Sequence, residues 1–136
     1  MNRSQGFTLL ELLVVIVIIG LLAAYVAPRY FSQIGKSEVQ VARAQIDALE
    51  KAIEQYRLDT RHLPPADQGL QALVARPANE PAWNGPYLKK AVPNDPWGRP
   101  YIYKAPGQNG DYDLASYGRD GKPGGSGEDA DIGTGI

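Results

Sequence analysis

The sequence contains no cysteine and a single histidine, and neither charge sign is in large excess. Without cysteine there is no disulfide and no thiolate nucleophile, and metals that prefer soft ligands find few donors. A nucleic-acid-binding surface needs a basic excess, whereas the formal net charge here is −1. The 136 residues suffice for one domain of ordinary size, which must be stabilised by something other than a disulfide.

One long apolar segment lies near the N-terminus. A helix from Phe7 to Ala27 is about 31 Å long at ~1.5 Å per residue, which matches the ~30 Å hydrocarbon core of a membrane. Arg3 before the segment favours an N-terminus on the cytoplasmic side, although Arg29 after it weakens that preference. We therefore predict a transmembrane helix.

Two other interpretations of the apolar segment are weaker. A cleavable signal peptide has an apolar region of ~7–15 residues that ends in a small-x-small site, and no Ala-x-Ala spacing occurs at the end of this run. A core helix in a domain this small keeps one polar face toward solvent, whereas this segment is apolar on all faces.

Glu11 requires an explanation, because a carboxylate beside an apolar run is costly in lipid unless it is paired. One interpretation is that Glu11 reaches the cytoplasmic interface and stays hydrated there. The other is that it pairs with a positive charge on a neighbouring subunit.

Beyond Pro28 the sequence predicts more helix, because apolar residues recur at intervals of three and four. We expect one helix of about 50 residues that is kinked or loosened near Pro28 and Gly35 and ends before Pro64-Pro65. A free coiled coil is disfavoured, because only about three heptads are present, so the apolar stripe must be buried by the rest of the chain. The stripe consists of Val39, Ala42, Ile46, Leu49, Ile53 and Tyr56.

The C-terminal half predicts a short helix, a tight turn and a hairpin. The helix covers residues 67–74 and is capped by Asp67, and the turn covers residues 94–98. Two candidate strands, residues 101–104 and 112–117, are joined by a link rich in glycine and proline, which suits an antiparallel pair.

The apolar segment begins with Gly6-Phe7-Thr8-Leu9-Leu10-Glu11. This stretch resembles the prepilin processing motif, G-F-T-L-x-E, of type IV pilins and type II secretion pseudopilins. The resemblance implies that a membrane peptidase cuts between Gly6 and Phe7 and methylates the new amine of Phe7. Glu11 then matches the glutamate of the family. The new amine has an unperturbed pKa of ~8, so it is a cation with which Glu11 of a neighbouring subunit can pair.

Three later stretches, residues 68–73, 95–98 and 116–121, extend the resemblance over nearly the whole chain. They are similar to signatures of the major pseudopilins of type II secretion systems. The resemblance implies a type IV pilin-like α+β fold, in which a long N-terminal helix packs on a small C-terminal domain with a short antiparallel β-sheet and a metal-binding loop. It divides the chain into a leader (1–6), a transmembrane and filament-core helix (7–30) and a periplasmic globular domain (31–136).

The segment from Asp120 to Asp131 is rich in glycine and carboxylates. Oxygen ligands on a flexible loop suit Ca²⁺, which takes ~6–8 of them, and a solvated acidic turn is the alternative. The loop does not follow the EF-hand pattern, and a single nonapeptide repeat could not stack. The resemblance implies Ca²⁺ bound by the side chains of Asp120, Asp129 and Asp131 and by the backbone carbonyls of Tyr117 and Ser126.

The sequence does not indicate an enzyme. His62 lies in the helix stop, but no nucleophile elbow accompanies it and no phosphate-binding glycine loop is present.

The resemblance implies a structural subunit that prepilin peptidase processes and that polymerises into a pseudopilus, which helps to export folded proteins across the outer membrane. The expected partners are further copies of the chain, minor pseudopilins, the inner-membrane assembly platform and, before assembly, membrane lipid, with no nucleic acid. The expected location is the bacterial inner membrane, with a single span and the C-terminal domain in the periplasm. The alternative is a pilin-like surface or DNA-uptake filament subunit that acts as a binding module.

Overall fold

The structure, a computed structural model, describes residues 5–135; the start of the predicted leader, with Arg3, lies outside them. The chain divides into two compact units, one ending at Gly35 and the other beginning at Lys36. In chain order the elements are an α-helix Leu9–Thr60 (α1), a 3-10 helix Gly69–Leu73, strands Ile102–Lys104 (β1) and Asp113–Ser116 (β2), a 3-10 helix Gly127–Asp129 and a strand Ile132–Gly133 (β3).

In the first unit, apolar side chains of α1 are exposed on every face. The most apolar window of α1 has a mean hydropathy of 2.9 and none of it is buried, so the interpretation as a buried core helix is wrong. Within the described residues, α1 is the one helix long and apolar enough to cross a membrane. The helix also continues through Pro28 and Gly35, so the expected loosening is not seen. An internal proline removes one backbone hydrogen bond, and the turns on either side keep theirs.

In the second unit, the predicted apolar stripe of α1 forms the core, which confirms the helical spacing. Leu49, Ile53 and Tyr56 are each at most 1% exposed, and they belong to one cluster with Leu73 and Leu114. Burying a side chain of this size contributes about 1.5–3 kcal/mol. The amphipathic half of α1 is therefore held by packing against its own C-terminal domain.

The three strands form an antiparallel sheet in the order β1-β2-β3. The predicted hairpin is confirmed, with Tyr103 opposite Leu114, although both strands are shorter than expected. The third strand was not predicted, since two residues show no alternation. Gly133 lies there at φ +125°, and a Cβ at this position would be 2.1 Å from the carbonyl oxygen of Leu114. Only glycine fits so close to β2.

The predicted second helix is present but shorter than expected, and its predicted cap is wrong. Residues Gly69–Leu73 form a 3-10 helix without a side-chain cap, and the Asp67 carboxylate instead accepts a hydrogen bond from the backbone N–H of Gln68 at 3.0 Å. Gly69 has a φ of +57°, outside the right-handed helical region. The helix therefore cannot extend back to Asp67, and burial of Leu70 and Leu73 fixes the short turn that remains.

His62 follows the C-terminal end of α1 and is engaged at both ring nitrogens. Its Nδ1 lies 2.8 Å from the carbonyl oxygen of Leu63 and its Nε2 lies 2.5 Å from Oε2 of Glu80. The bond to the Leu63 carbonyl, and secondarily the Glu80 carboxylate, raise the pKa of the imidazole. These contacts tie the helix end to residue 80, so the structure gives His62 a role in holding the chain together.

Candidate functional sites: the start of α1 and the C-terminal loop

Glu11 caps the N-terminus of its own helix. Its Oε2 accepts a hydrogen bond from the backbone N–H of Thr8 at 2.9 Å, and the Thr8 hydroxyl accepts one from the N–H of Glu11 at 3.1 Å. This reciprocal pair is a capping box, which satisfies two of the donors that a helix start leaves open. The spacing Thr-x-x-Glu is the sequence signature of this motif.

The residues expected at the processing site precede this cap. Gly6 lies in an exposed, non-helical segment, and the side chain of Phe7 is 83% exposed. α1 begins only at Leu9, so the Gly6–Phe7 peptide bond lies in chain without regular secondary structure ahead of the helix. The expected cleavage point therefore lies in backbone outside regular structure.

The C-terminal loop leaves β2 after Ser116 and returns to β3. Its two arms are close, because the N–H of Arg119 donates to the carbonyl of Glu128 at 3.0 Å. Gly118, in the first arm, has a φ of +71°, and a Cβ there would be 2.7 Å from the carbonyl oxygen of Ala130 in the second arm. Backbone contacts thus close the loop.

Asp129 is paired with Arg119. The Nε and Nη2 atoms of Arg119 lie 2.9 and 3.3 Å from the two carboxylate oxygens of Asp129, and Nη1 lies 2.7 Å from Oε2 of Glu128. These carboxylates, Asp129 first, raise the pKa of the Arg119 guanidinium. Arg119 was not among the residues that sequence reasoning selected.

Asp131 has one satisfied and one unsatisfied oxygen. Oδ2 accepts from the N–H of Gly124 at 2.9 Å, whereas Oδ1 is buried without a hydrogen-bond partner. A buried unpaired carboxylate oxygen is costly and is a natural ligand for a hard cation. Asp131 is the one predicted ligand with such an orphan oxygen among the described residues.

The other predicted ligands take part in local turns. Asp120 is exposed, and its Oδ1 accepts from the N–H of Lys122 at 3.1 Å, while the Ser126 carbonyl accepts from the N–H of Asp129 at 3.1 Å. Tyr117 lies half-buried at the base of the loop. Over residues 5–135, no three Asp, Glu or His side chains converge as a metal centre. The oxygen donors of the loop are of the type that Ca²⁺ prefers. The calcium site stays a prediction, because the side chains among these donors do not converge on one point.

A second turn supports the base of this loop. Asp95 is only 5% exposed, and its Oδ1 accepts from the N–H groups of Trp97 at 3.1 Å and Arg99 at 2.8 Å. The hydroxyl of Ser116 donates to Oδ2 of Asp95 at 2.8 Å. Burial, and then the charge of Asp95, raise the pKa of Tyr101 to about 12. One carboxylate thus joins the turn at residues 94–98 to the end of β2.

Arg99, directly after this turn, holds the first arm of the loop. Its Nη1 donates to the carbonyls of Gly118 at 3.3 Å and Arg119 at 3.1 Å. The sequence predicted a turn at residues 94–98 but did not show that this turn supports the loop.

Comparisons with known proteins agree with this arrangement of elements. Residues 29–135 match the family model described as type II secretion system (T2SS), protein G, and residues 1–27 match the prokaryotic N-terminal methylation motif. The chain is 49% identical to type II secretion system core protein G of Pseudomonas aeruginosa over 98% of this chain and 96% of the relative. The protein of the same name from Vibrio cholerae is 46% identical over 98% and 93%.

A solved structure is also similar. The crystal structure of the major pseudopilin from the type 2 secretion system of enterohaemorrhagic Escherichia coli matches with a TM-score of 0.59 at 40% identity. The match covers 73% of this chain and 87% of that chain.

Proposed function

The chain belongs to the type II secretion system protein G family, and from that membership we propose how its precursor is processed, where it resides and what it binds. It is a structural subunit of the pseudopilus, and it assembles into a filament with other secretion components. The observation that carries this conclusion is the pair of matches, one to the methylation motif and one to protein G, which together span nearly the entire chain. The apolar first half of α1 anchors the subunit in a membrane.

We propose that prepilin peptidase cuts between Gly6 and Phe7 and methylates the new amine. Before this cleavage the precursor spans the inner membrane once, with the C-terminal domain in the periplasm. Its partners are further copies of the chain, minor pseudopilins, the inner-membrane assembly platform and, before assembly, lipid. The exposed, non-helical chain at Gly6 and Phe7 supports this cleavage point.

We propose that Glu11 has two roles after cleavage. Its Oε2 is bonded to the N–H of Thr8 in the capping box. An ionised carboxylate has about four acceptor positions, so the group can keep the cap and also bind the α-amine of Phe7 on a neighbouring subunit. A paired charge is far less costly in lipid than an unpaired one, so this contact favours one register between neighbours.

A gene disruption tests the function. We expect loss of folded exoproteins from the medium, with surface adhesion and DNA uptake unchanged, and restoration by the wild-type gene. Normal secretion with defective adhesion or DNA uptake would contradict this proposal and support the binding-module alternative.

We further propose that the C-terminal loop binds Ca²⁺ through Asp120, Asp129 and Asp131, with the carbonyls of Tyr117 and Ser126. The buried unpaired Oδ1 of Asp131 supports this proposal, because a cation would satisfy it. The ion would supply positive charge that holds the acidic loop closed, and a site present only in the folded state stabilises that state. No disulfide performs this task, since the chain has no cysteine.

Thermal unfolding of the full chain in detergent micelles checks the ion. Both tryptophans, Trp83 and Trp97, lie in the C-terminal unit, so their fluorescence reports its unfolding. With a Kd of ~10⁻⁴–10⁻³ M, 10 mM Ca²⁺ stabilises by roughly 1.4–2.7 kcal/mol, and we expect the midpoint to rise by at least about 5 °C over chelator.

Substitutions separate a loop site from general ionic effects. Asp131→Asn is expected to abolish the rise, whereas Asp111→Asn, which changes an exposed carboxylate outside the loop, is expected to retain it. An equal rise with Mg²⁺, or none with Ca²⁺, would count against the proposed site.

A further inference from the structure

The guanidinium of Arg119 is bonded to the carboxylate of Asp129, which is one of the proposed calcium ligands. Two of its nitrogens contact the two oxygens of Asp129, and a third contacts Glu128. A guanidinium that contacts both oxygens of a carboxylate holds it in a fixed plane. Without an ion, Asp129 is therefore already neutralised and oriented by a residue of its own loop.

A calcium ion and this guanidinium cannot both contact Asp129 at full strength. Both are cations, and two like charges on one carboxylate repel each other. Ca²⁺ binds carboxylate oxygens at ~2.3–2.6 Å, and Nε and Nη2 of Arg119 already take one acceptor position on each oxygen of Asp129, so a bound ion would lie close to the guanidinium. Binding the ion therefore weakens or displaces the Arg119 contacts.

The surroundings of Arg119 allow that displacement. Its side chain is 56% exposed, and it lines an open groove of about 670 Å³ together with Lys36 and Arg43. It can therefore move without opening the core. Oε2 of Glu128 lies 2.7 Å from Nη1 of Arg119. The guanidinium can therefore stay bound to Glu128 after its contacts with Asp129 break.

We infer that Arg119 is an internal counter-ion of the loop, which holds Asp129 when no ion is bound and competes with Ca²⁺ for it. This inference rests on the proposed calcium site. Arg119 lowers the affinity of the loop for the ion and keeps the ion-free loop ordered. Calcium binding thus exchanges an internal cation for an external one.

Calorimetric titration of the full chain with Ca²⁺ in detergent micelles tests the competition. Losing the exposed pair with Asp129 is expected to tighten binding roughly fivefold in Arg119→Gln. Arg119→Lys, which keeps the charge but not the two-nitrogen contact, is expected to fall between this variant and wild type. Lys122→Gln is the matched control, because it removes one positive charge from the same loop without touching Asp129, and we expect less than about a twofold change.

The outcomes separate this inference from the calcium proposal itself. If neither the wild type nor any variant binds Ca²⁺, the proposed site is wrong. If the wild type binds but Arg119→Gln and Lys122→Gln change the Kd equally, the site stands and the competition by Arg119 is wrong.

A direct readout is the Nε–H signal of Arg119 in a nitrogen–proton NMR spectrum. We expect it to shift during the calcium titration in step with binding, since Nε leaves Asp129. A signal that stays unchanged at saturating Ca²⁺ would overturn the inference, because the contact would then persist beside the ion.

Discussion

Replacing Glu11 with alanine is expected to leave the chain in the membrane but to lower filament yield at least tenfold. Without the carboxylate, the α-amine of Phe7 on the neighbouring subunit has no counter-ion. An unpaired charge in lipid costs up to about 2.5–3.5 kcal/mol, the value at a helix centre, and about 1.4 kcal/mol already corresponds to a factor of ten. Sheared-filament yield and membrane fractionation of the same cells measure assembly and insertion separately.

The capping box requires a control, because alanine also removes the hydrogen bond to Thr8. Glu11→Gln keeps a capping acceptor, since glutamine serves in the same position of the motif, but it removes the charge. If pairing is responsible, Glu11→Gln fails to assemble as Glu11→Ala does, and Thr8→Val, which loses the hydroxyl of the cap, assembles nearly normally. Normal filaments from Glu11→Gln would show that the cap matters and the charge does not.

Asp95→Ala is expected to lower the free energy of unfolding of the C-terminal unit by at least about 3 kcal/mol, because each donor left without its acceptor costs about 1–3 kcal/mol. The substitution leaves two backbone N–H groups and the hydroxyl of Ser116 without their acceptor. Since the free energy of unfolding of a domain is only about 5–15 kcal/mol, this loss would be a large part of the total. Urea unfolding followed by tryptophan fluorescence measures the change.

Two further variants limit the interpretation of that result. Ser116→Ala removes one of the three donors and is expected to cost about 1 kcal/mol. Asp111→Ala removes an exposed ion pair with Arg57, 2.9 Å long, and is expected to leave the urea midpoint nearly unchanged, because exposed ion pairs contribute little to stability. If Asp95→Ala behaved like Asp111→Ala, the buried carboxylate would not hold the turn to β2.

Local patterns in the sequence were sufficient to predict α1 and the hairpin of β1 and β2. Apolar residues recur every three or four positions in the stripe, so the pattern can be recognised from residues within one or two helical turns of each other. The same holds for the link between β1 and β2, where glycine and proline mark the turn. The capping box of Thr8 and Glu11 is local too, so it could have been predicted from the spacing.

The remaining elements depended on contacts between distant parts of the chain. β3 pairs as a strand because β2 offers a partner, and its two residues carry no periodic signal. His62 and Glu80 are separated by 18 residues, and Asp95 and Ser116 by 21.

An apolar helix with a charge near its start, an amphipathic continuation and an acidic loop all follow from the sequence pattern. Which carboxylates are buried, which are bonded and that Oδ1 of Asp131 has no partner follow from the folded chain. The reason is physical: periodicity and turn chemistry act over a few residues, whereas burial and pairing follow from how the whole chain packs. Asp95, Asp129 and Asp131 are alike in the sequence, and packing gives each a different environment.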